Sequence, residues 1–77
     1  MLVLDMRGMR CPWPAIRLAR ALRDGAAAVE MLADDPAAGR ELAAVAATRG
    51  GRLEIVSKDR FRFKTDLDSN ALFTPDA

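Results

Sequence analysis

The chain has no histidine, no tyrosine and a single cysteine, Cys11. One cysteine excludes an internal disulfide, and without histidine the usual zinc ligand sets cannot be assembled, so no metal site is expected. A 77-residue chain must then be held by packing alone, around the one core its length allows. The lack of a Cys-x-x-Cys pair also argues against a thioredoxin-like oxidoreductase. A surplus of one charge is missing too: twelve Lys and Arg face eleven Asp and Glu, a net charge of +1, which gives no electrostatic ground for nucleic-acid binding. No apolar run approaches the length of a membrane span, and the opening MLVLDMRG has neither a basic leader nor a long apolar segment. A cytoplasmic, reducing compartment and no membrane partner are therefore expected.

What is present is an ordinary globular composition, 51% hydrophobic and 30% charged. The charge is unevenly spread. Residues 1–24 carry five arginines against Asp5 and Asp24, whereas the remainder carries seven basic and nine acidic residues, so the end that holds the cysteine is the positive one.

Periodicity divides the chain into six elements. LVLD, residues 2–5, is a short apolar strand closed by a loop containing Gly8. From Pro14 the spacing of Ala15, Leu18, Ala19 and Leu22 is helical, with Arg17, Arg20 and Arg23 on other faces, until Asp24-Gly25 stops the helix. In residues 27–34, Val29 and Met31 alternate around Glu30. Asp35 can cap a second helix whose first position is Pro36, with Ala38, Leu42, Val45 and Ala46 on one side and the Arg49-Gly50-Gly51 run as its exit. RLEIVSK places Leu53 and Ile55 on one face, RFRFKTDL places Phe61, Phe63 and Leu67 on one face, and a tight turn near KDR joins them as a hairpin. The order βαβαββ predicts an α+β fold, a two-layer α/β sandwich in which a mixed four-stranded sheet carries both helices on one face. Residues 1–67 form the single domain, and 68–77, without a sustained period, are expected to be a flexible tail.

Cys11 stands where the first helix begins, between Arg10 and two prolines, Pro12 and Pro14, that straddle Trp13. A lone cysteine is ordinarily a small buried apolar residue. The frame here suggests otherwise. Residues before proline are pushed from helical to extended backbone, so the thiol sits at the helix entrance, where unpaired amide donors and the aligned peptide dipoles favour an anion. Arg10 adjoins it and Arg7 shares its loop, so both dipole and cations are expected to lower the thiol's pKa. Each proline removes an amide donor and stiffens the chain, and Gly8 allows a sharp turn after the first strand, at the strand end where α/β folds present reactive groups.

The run LDMRGMRCPWP resembles the TusA/SirA-like family of sulfur carriers, whose mark is Leu-Asp, then Arg/Leu-Gly, then Cys-Pro-x-Pro at the start of the first helix. The Asp34-Asp35-Pro36 run is similar to the family's second landmark, and the resemblance covers about residues 3–66. It implies the same two-layer sandwich, and it implies that Cys11 takes the terminal sulfur of a donor's persulfide, such as a cysteine desulfurase or rhodanese, and relays it to an acceptor protein. Gly8, Arg10, Pro12 and Pro14 would support the thiol. Roles in the family include tRNA thiolation, delivery to molybdenum cofactor enzymes and sulfur oxidation. The chemistry needs no cofactor, and a lone cysteine suits it, since a second thiol nearby would discharge the persulfide as a disulfide. Where many members have an Arg-Asp-Ile-Pro-like run, this chain has Arg40-Glu41-Leu42-Ala43, and Gly51-Arg52 replaces a common Gly-His or Gly-Asn. Those departures bear on partner identity. The alternative is a non-catalytic regulatory or protein-interaction module of the same fold.

Four further residues are candidates for partner binding. Trp13 is either a docking anchor or a cover packed over the helix entrance. Arg17 and Arg20, with Arg7, either steer an acidic partner towards the thiol or are merely solvated. Asp34 and Asp35 read as capping residues rather than an acid/base pair, and the four methionines as core or loop residues. Alone, the chain is expected to be a monomer.

Overall fold

The computed structural model describes residues 1–65. Six elements follow in the predicted order: β1 (Leu2–Asp5), α1 (Trp13–Arg23), β2 (Ala28–Leu32), α2 (Ala38–Thr48), β3 (Gly51–Ser57) and β4 (Arg60–Thr65). The strands form one mixed sheet in the order β1-β2-β4-β3. β1 runs parallel to β2, and β4 lies antiparallel to both β2 and β3. The hairpin therefore folds its second strand inward, between the two strands that α2 connects, and leaves β1 and β3 as the sheet's edges.

Alternation decides the faces. Leu4, Val29, Met31, Phe61 and Phe63 point to the helix side and are buried, together with Leu18 of α1 and Leu42 and Ala46 of α2. The other face is polar: Glu30 pairs with Arg60 and Arg62 across the β2–β4 register, and Arg62 also faces Glu54 at 3.8 Å. Met6 and Met31 are fully buried, as core methionines should be.

Several boundaries differ from expectation. α1 begins at Trp13, with Pro14 in its second position, where a missing amide hydrogen costs the helix nothing. α2 begins at Ala38 rather than Pro36. Asp35 captures the Ala37 amide through Oδ1 at 2.8 Å, and its carbonyl accepts from Ala38 at 2.9 Å, so Pro36 and Ala37 are spent on a turn before the helix. Ile55 shares the helix-side face with Leu53 but stays 69% exposed, because β3 is an edge strand and its end runs past the cover of α2. A register shift between Ile55 and Ser57 bends that edge. Leu67 and the tail at 68–77 lie outside the described residues.

Candidate functional site

The carboxyl ends of β1 and β2 open on the same side of the molecule, and the loops that leave them, residues 6–12 and 33–37, lie against each other. Gly8 turns the first loop with φ +86°, a conformation that favours glycine, and nothing crowds the place a side chain would take. Two aspartates of the second loop hold the first. Asp34 Oδ1 accepts the Gly8 amide and Asp35 Oδ2 accepts the Cys11 amide, each at 2.9 Å. The reading of this pair as capping residues thus missed their main connection; only the distant loop, 24 residues away in sequence for Cys11, reveals it. The β3–β4 turn joins the same end, where the Ala33 amide donates to the Asp59 carbonyl at 3.0 Å.

Cys11 is exposed, as the reading of its frame requires. It precedes Pro12, which occupies the cap position of α1. Pro14 is buried and fixes the first turn, while Trp13 is 59% exposed and does not cover the helix entrance. Ile16, one turn on, is also exposed, and Arg20 follows on the surface of the same helix. Arg17 is half-buried.

The electrostatics overturn one expectation. The thiol's pKa is raised, not lowered. Partial desolvation of the sulfur comes first, followed by a hydrogen bond to the Glu41 carboxylate and the negative charges of Glu41 and Asp35; Arg40 alone pulls the other way. The local donors explain why the helix entrance does not compensate. Pro12 and Pro14 have no amide hydrogen, the Trp13 amide is spent on the Arg10 carbonyl at 2.8 Å, and the amide of Cys11 itself is spent on Asp35. The expected cations are engaged elsewhere. Arg7 reaches back to Asp5, Nη2 to Oδ2 at 2.7 Å, and holds that carboxyl down at about 2, while the charge of Arg10 acts on Asp35. Hydrogen bonds from Ala37 and Cys11 keep Asp35 below the usual carboxylate range as well.

The arrangement is thus an accessible thiol whose surroundings oppose its ionisation, on a loop fixed through its backbone, with carboxylates on the α2 side and a surface of exposed Trp13, Ile16 and arginines on the α1 side. Among the described residues, no three groups of the kinds that bind metal ions gather into one site. No helix among them is long and apolar enough to cross a membrane.

The family model of sulfurtransferase TusA matches residues 2–65. The crystal structure of a SirA-like protein from Desulfitobacterium hafniense is similar, at 28% sequence identity and a TM-score of 0.68, covering 82% of this chain and 92% of that one. Comparison with curated proteins gave no match.

Proposed function

The chain belongs to the sulfurtransferase TusA family, and from that premise we propose that it carries sulfur on Cys11, accepting it as a persulfide from a donor protein and passing it to an acceptor protein. The observation that carries this reading is the placement of the only thiol. Cys11 is exposed, and the bond that fixes it uses its backbone amide rather than its sulfur, so the sulfur can exchange partners while the loop stays in place.

The transfer needs no net redox change. Cys11 loses its thiol proton and attacks the terminal sulfur of the donor's persulfide; the new S–S bond forms as the donor's own S–S bond breaks, and the donor cysteine leaves as a thiolate that takes up a proton. In the second half an acceptor thiolate attacks the terminal sulfur of the Cys11 persulfide, and Cys11 is the leaving group. The rate of the first half follows the thiolate fraction. In the free carrier that fraction is kept low by the surroundings of the sulfur, so a partner that brings positive charge against Glu41 and Asp35 activates the thiol at the moment of docking. Gly8, Arg10, Pro12 and Pro14 shape the loop. Trp13, with Arg7, Arg17 and Arg20, forms the surface on which a partner docks, the exposed indole serving as the anchor. The carrier works as a monomer in the cytoplasm.

The test is intact mass spectrometry after incubation with a cysteine desulfurase and cysteine. One added, reductant-labile sulfur is expected on the chain and none on Cys11→Ser; absence of any adduct overturns the reading. The non-catalytic interaction module is favoured by one feature, the surroundings of Cys11 that push the thiol's pKa up. It requires that Cys11→Ala preserve the biological effect and that charge reversal at Arg17 or Arg20 remove it.

A further inference from the structure

The two edges of the sheet are unequal. The β3 edge is bent by its register shift between Ile55 and Ser57, a device that discourages further pairing. The β1 edge, four residues long, carries no such irregularity. It has no bulge, proline, glycine or lysine, and ahead of Asp5, which pairs with Arg7, it is apolar on both faces: Leu2 on the helix side is 44% exposed and Val3 on the outer side 57%. Its free side pairs with nothing among the described residues.

Beside that edge lies an open cleft of about 500 Å³ between β1 and α1. Leu2 and Leu4 form its floor, and Arg17, Arg20 and Ala21 form the wall on the helix. Neither arginine has a carboxylate partner at ion-pair distance among the described residues. Asp24, at the cleft's end, stands 3.9 Å from Arg23. The cleft reaches Gly25 and Ala26 at the end of α1 remote from Cys11, so whatever occupies it leaves the thiol uncovered.

We propose that the β1 edge and this cleft form a docking site for an extended, acidic segment of a partner protein, added to the sheet as a fifth strand. The backbone of such a segment would pair with β1. On the helix side its side chains would place carboxylates against Arg17 and Arg20, and on the outer side apolar groups beside exposed Val3, which selects a segment in which apolar and acidic residues alternate. A second copy of the chain fits poorly, since pairing β1 with β1 would gather the four arginines of the two copies around one short edge. The site would tether a partner at one end of α1 while the sulfur at the other end remains free to react.

The experiment is an NMR titration of the full chain with an extended peptide of about eight residues, alternating valine and glutamate, with a valine and lysine peptide as control. Saturable shifts are expected at the amides of Leu2, Val3 and Leu4 and at the Nε–H groups of Arg17 and Arg20, with the glutamate peptide only. Arg17→Glu combined with Arg20→Glu should weaken that peptide by about tenfold or more and transfer binding to the lysine peptide, while the circular dichroism spectrum shows the fold intact. A proline at the centre of the glutamate peptide should abolish binding. No saturable shift at β1, or shifts confined to Trp13 and Ile16, overturns the proposal. Concentration-dependent shifts of β1 without peptide would assign the edge to a second copy, and shifts in residues 66–77 caused by the arginine substitutions alone would assign the cleft to the chain's own end; either result also overturns it. The titration reads the same in Cys11→Ser, so its outcome is independent of whether Cys11 takes up sulfur.

Discussion

The backbone amide of Cys11 donates to Asp35 Oδ2 at 2.9 Å, so the residue that carries the thiol is held by a carboxylate at the entrance of the other helix. The same carboxylate accepts from Ala37 through Oδ1, which makes one side chain both the brace of the cysteine loop and the closure of the turn before α2. Removing it releases both at once. In Asp35→Ala the Cys11 and Ala37 amides should exchange with deuterium faster by on the order of tenfold or more, with little change in the sheet amides, because the loss is local. Unchanged exchange at Cys11 would show that the loop holds itself.

Acid should act through two carboxylates. Asp5 is held at about 2 by Arg7, and Asp35 is lowered by the amides of Ala37 and Cys11. A carboxyl depressed in the folded state adds stability above its unfolded pKa and loses it as pH falls through the folded value. Denaturation followed by circular dichroism should therefore show stability level above about pH 5 and falling from there towards pH 2. Asp5→Asn and Asp35→Asn should each lose part of that slope, the Asp5 share reduced because its exposed pair is screened by water and salt.

Much of this architecture was legible from local pattern. The alternation of Val29 and Met31 around Glu30, the helical spacing of Ala15 and Leu18, and the paired Phe61 and Phe63 each specify an element and its buried face without reference to the rest of the chain. The exposure of Cys11 followed from its frame of prolines at a helix start. Properties created by contact between distant segments were not legible. Nothing local tells that β4 inserts between β2 and β3, that Asp34 and Asp35 reach back to Gly8 and Cys11, or that the Glu41 carboxylate acts on the thiol. The ionisation of Cys11 belongs with these: Arg7 and Arg10 are near it in sequence, but the carboxylates near it in space, Glu41 and Asp35, come from α2 and the turn before it. The likeness to the Desulfitobacterium hafniense structure extends the same point to the whole fold, at 28% identity.

Gly51 and Gly39 should respond to alanine in opposite ways. A Cβ on Gly51 would lie 2.5 Å from the Lys64 carbonyl oxygen and 2.5 Å from the ring of buried Phe63, so β3 could not keep its place against β4. Gly51→Ala should cost about 1–3 kcal/mol in denaturant unfolding, a large share of what a domain this small possesses. A Cβ on Gly39 would meet the Phe61 ring at 3.4 Å, and the position is helical. Gly39→Ala should be neutral or stabilising by up to about 1 kcal/mol. Equal effects at the two positions would mean that the approach of β3 to Phe63 is not the constraint.

The surroundings of Cys11 make opposite demands of Glu41 and Arg40, and that opposition can be measured. Glu41 favours the protonated thiol and repels the thiolate, while Arg40 attracts it. In Glu41→Gln the pH midpoint of iodoacetamide alkylation should fall and the rate at neutral pH should rise several-fold; in Arg40→Gln the midpoint should rise further. Folding stability follows the same sign. A folded-state pKa raised above the unfolded value means that the native chain binds the proton more tightly, so stability is full below the unfolded thiol's pKa and declines as pH rises through the folded one. Cys11→Ser should remove that alkaline decline. If Glu41→Gln leaves the alkylation midpoint where it was, the carboxylate does not hold the thiol in its protonated form, and the activation of the sulfur by a docking partner loses its basis.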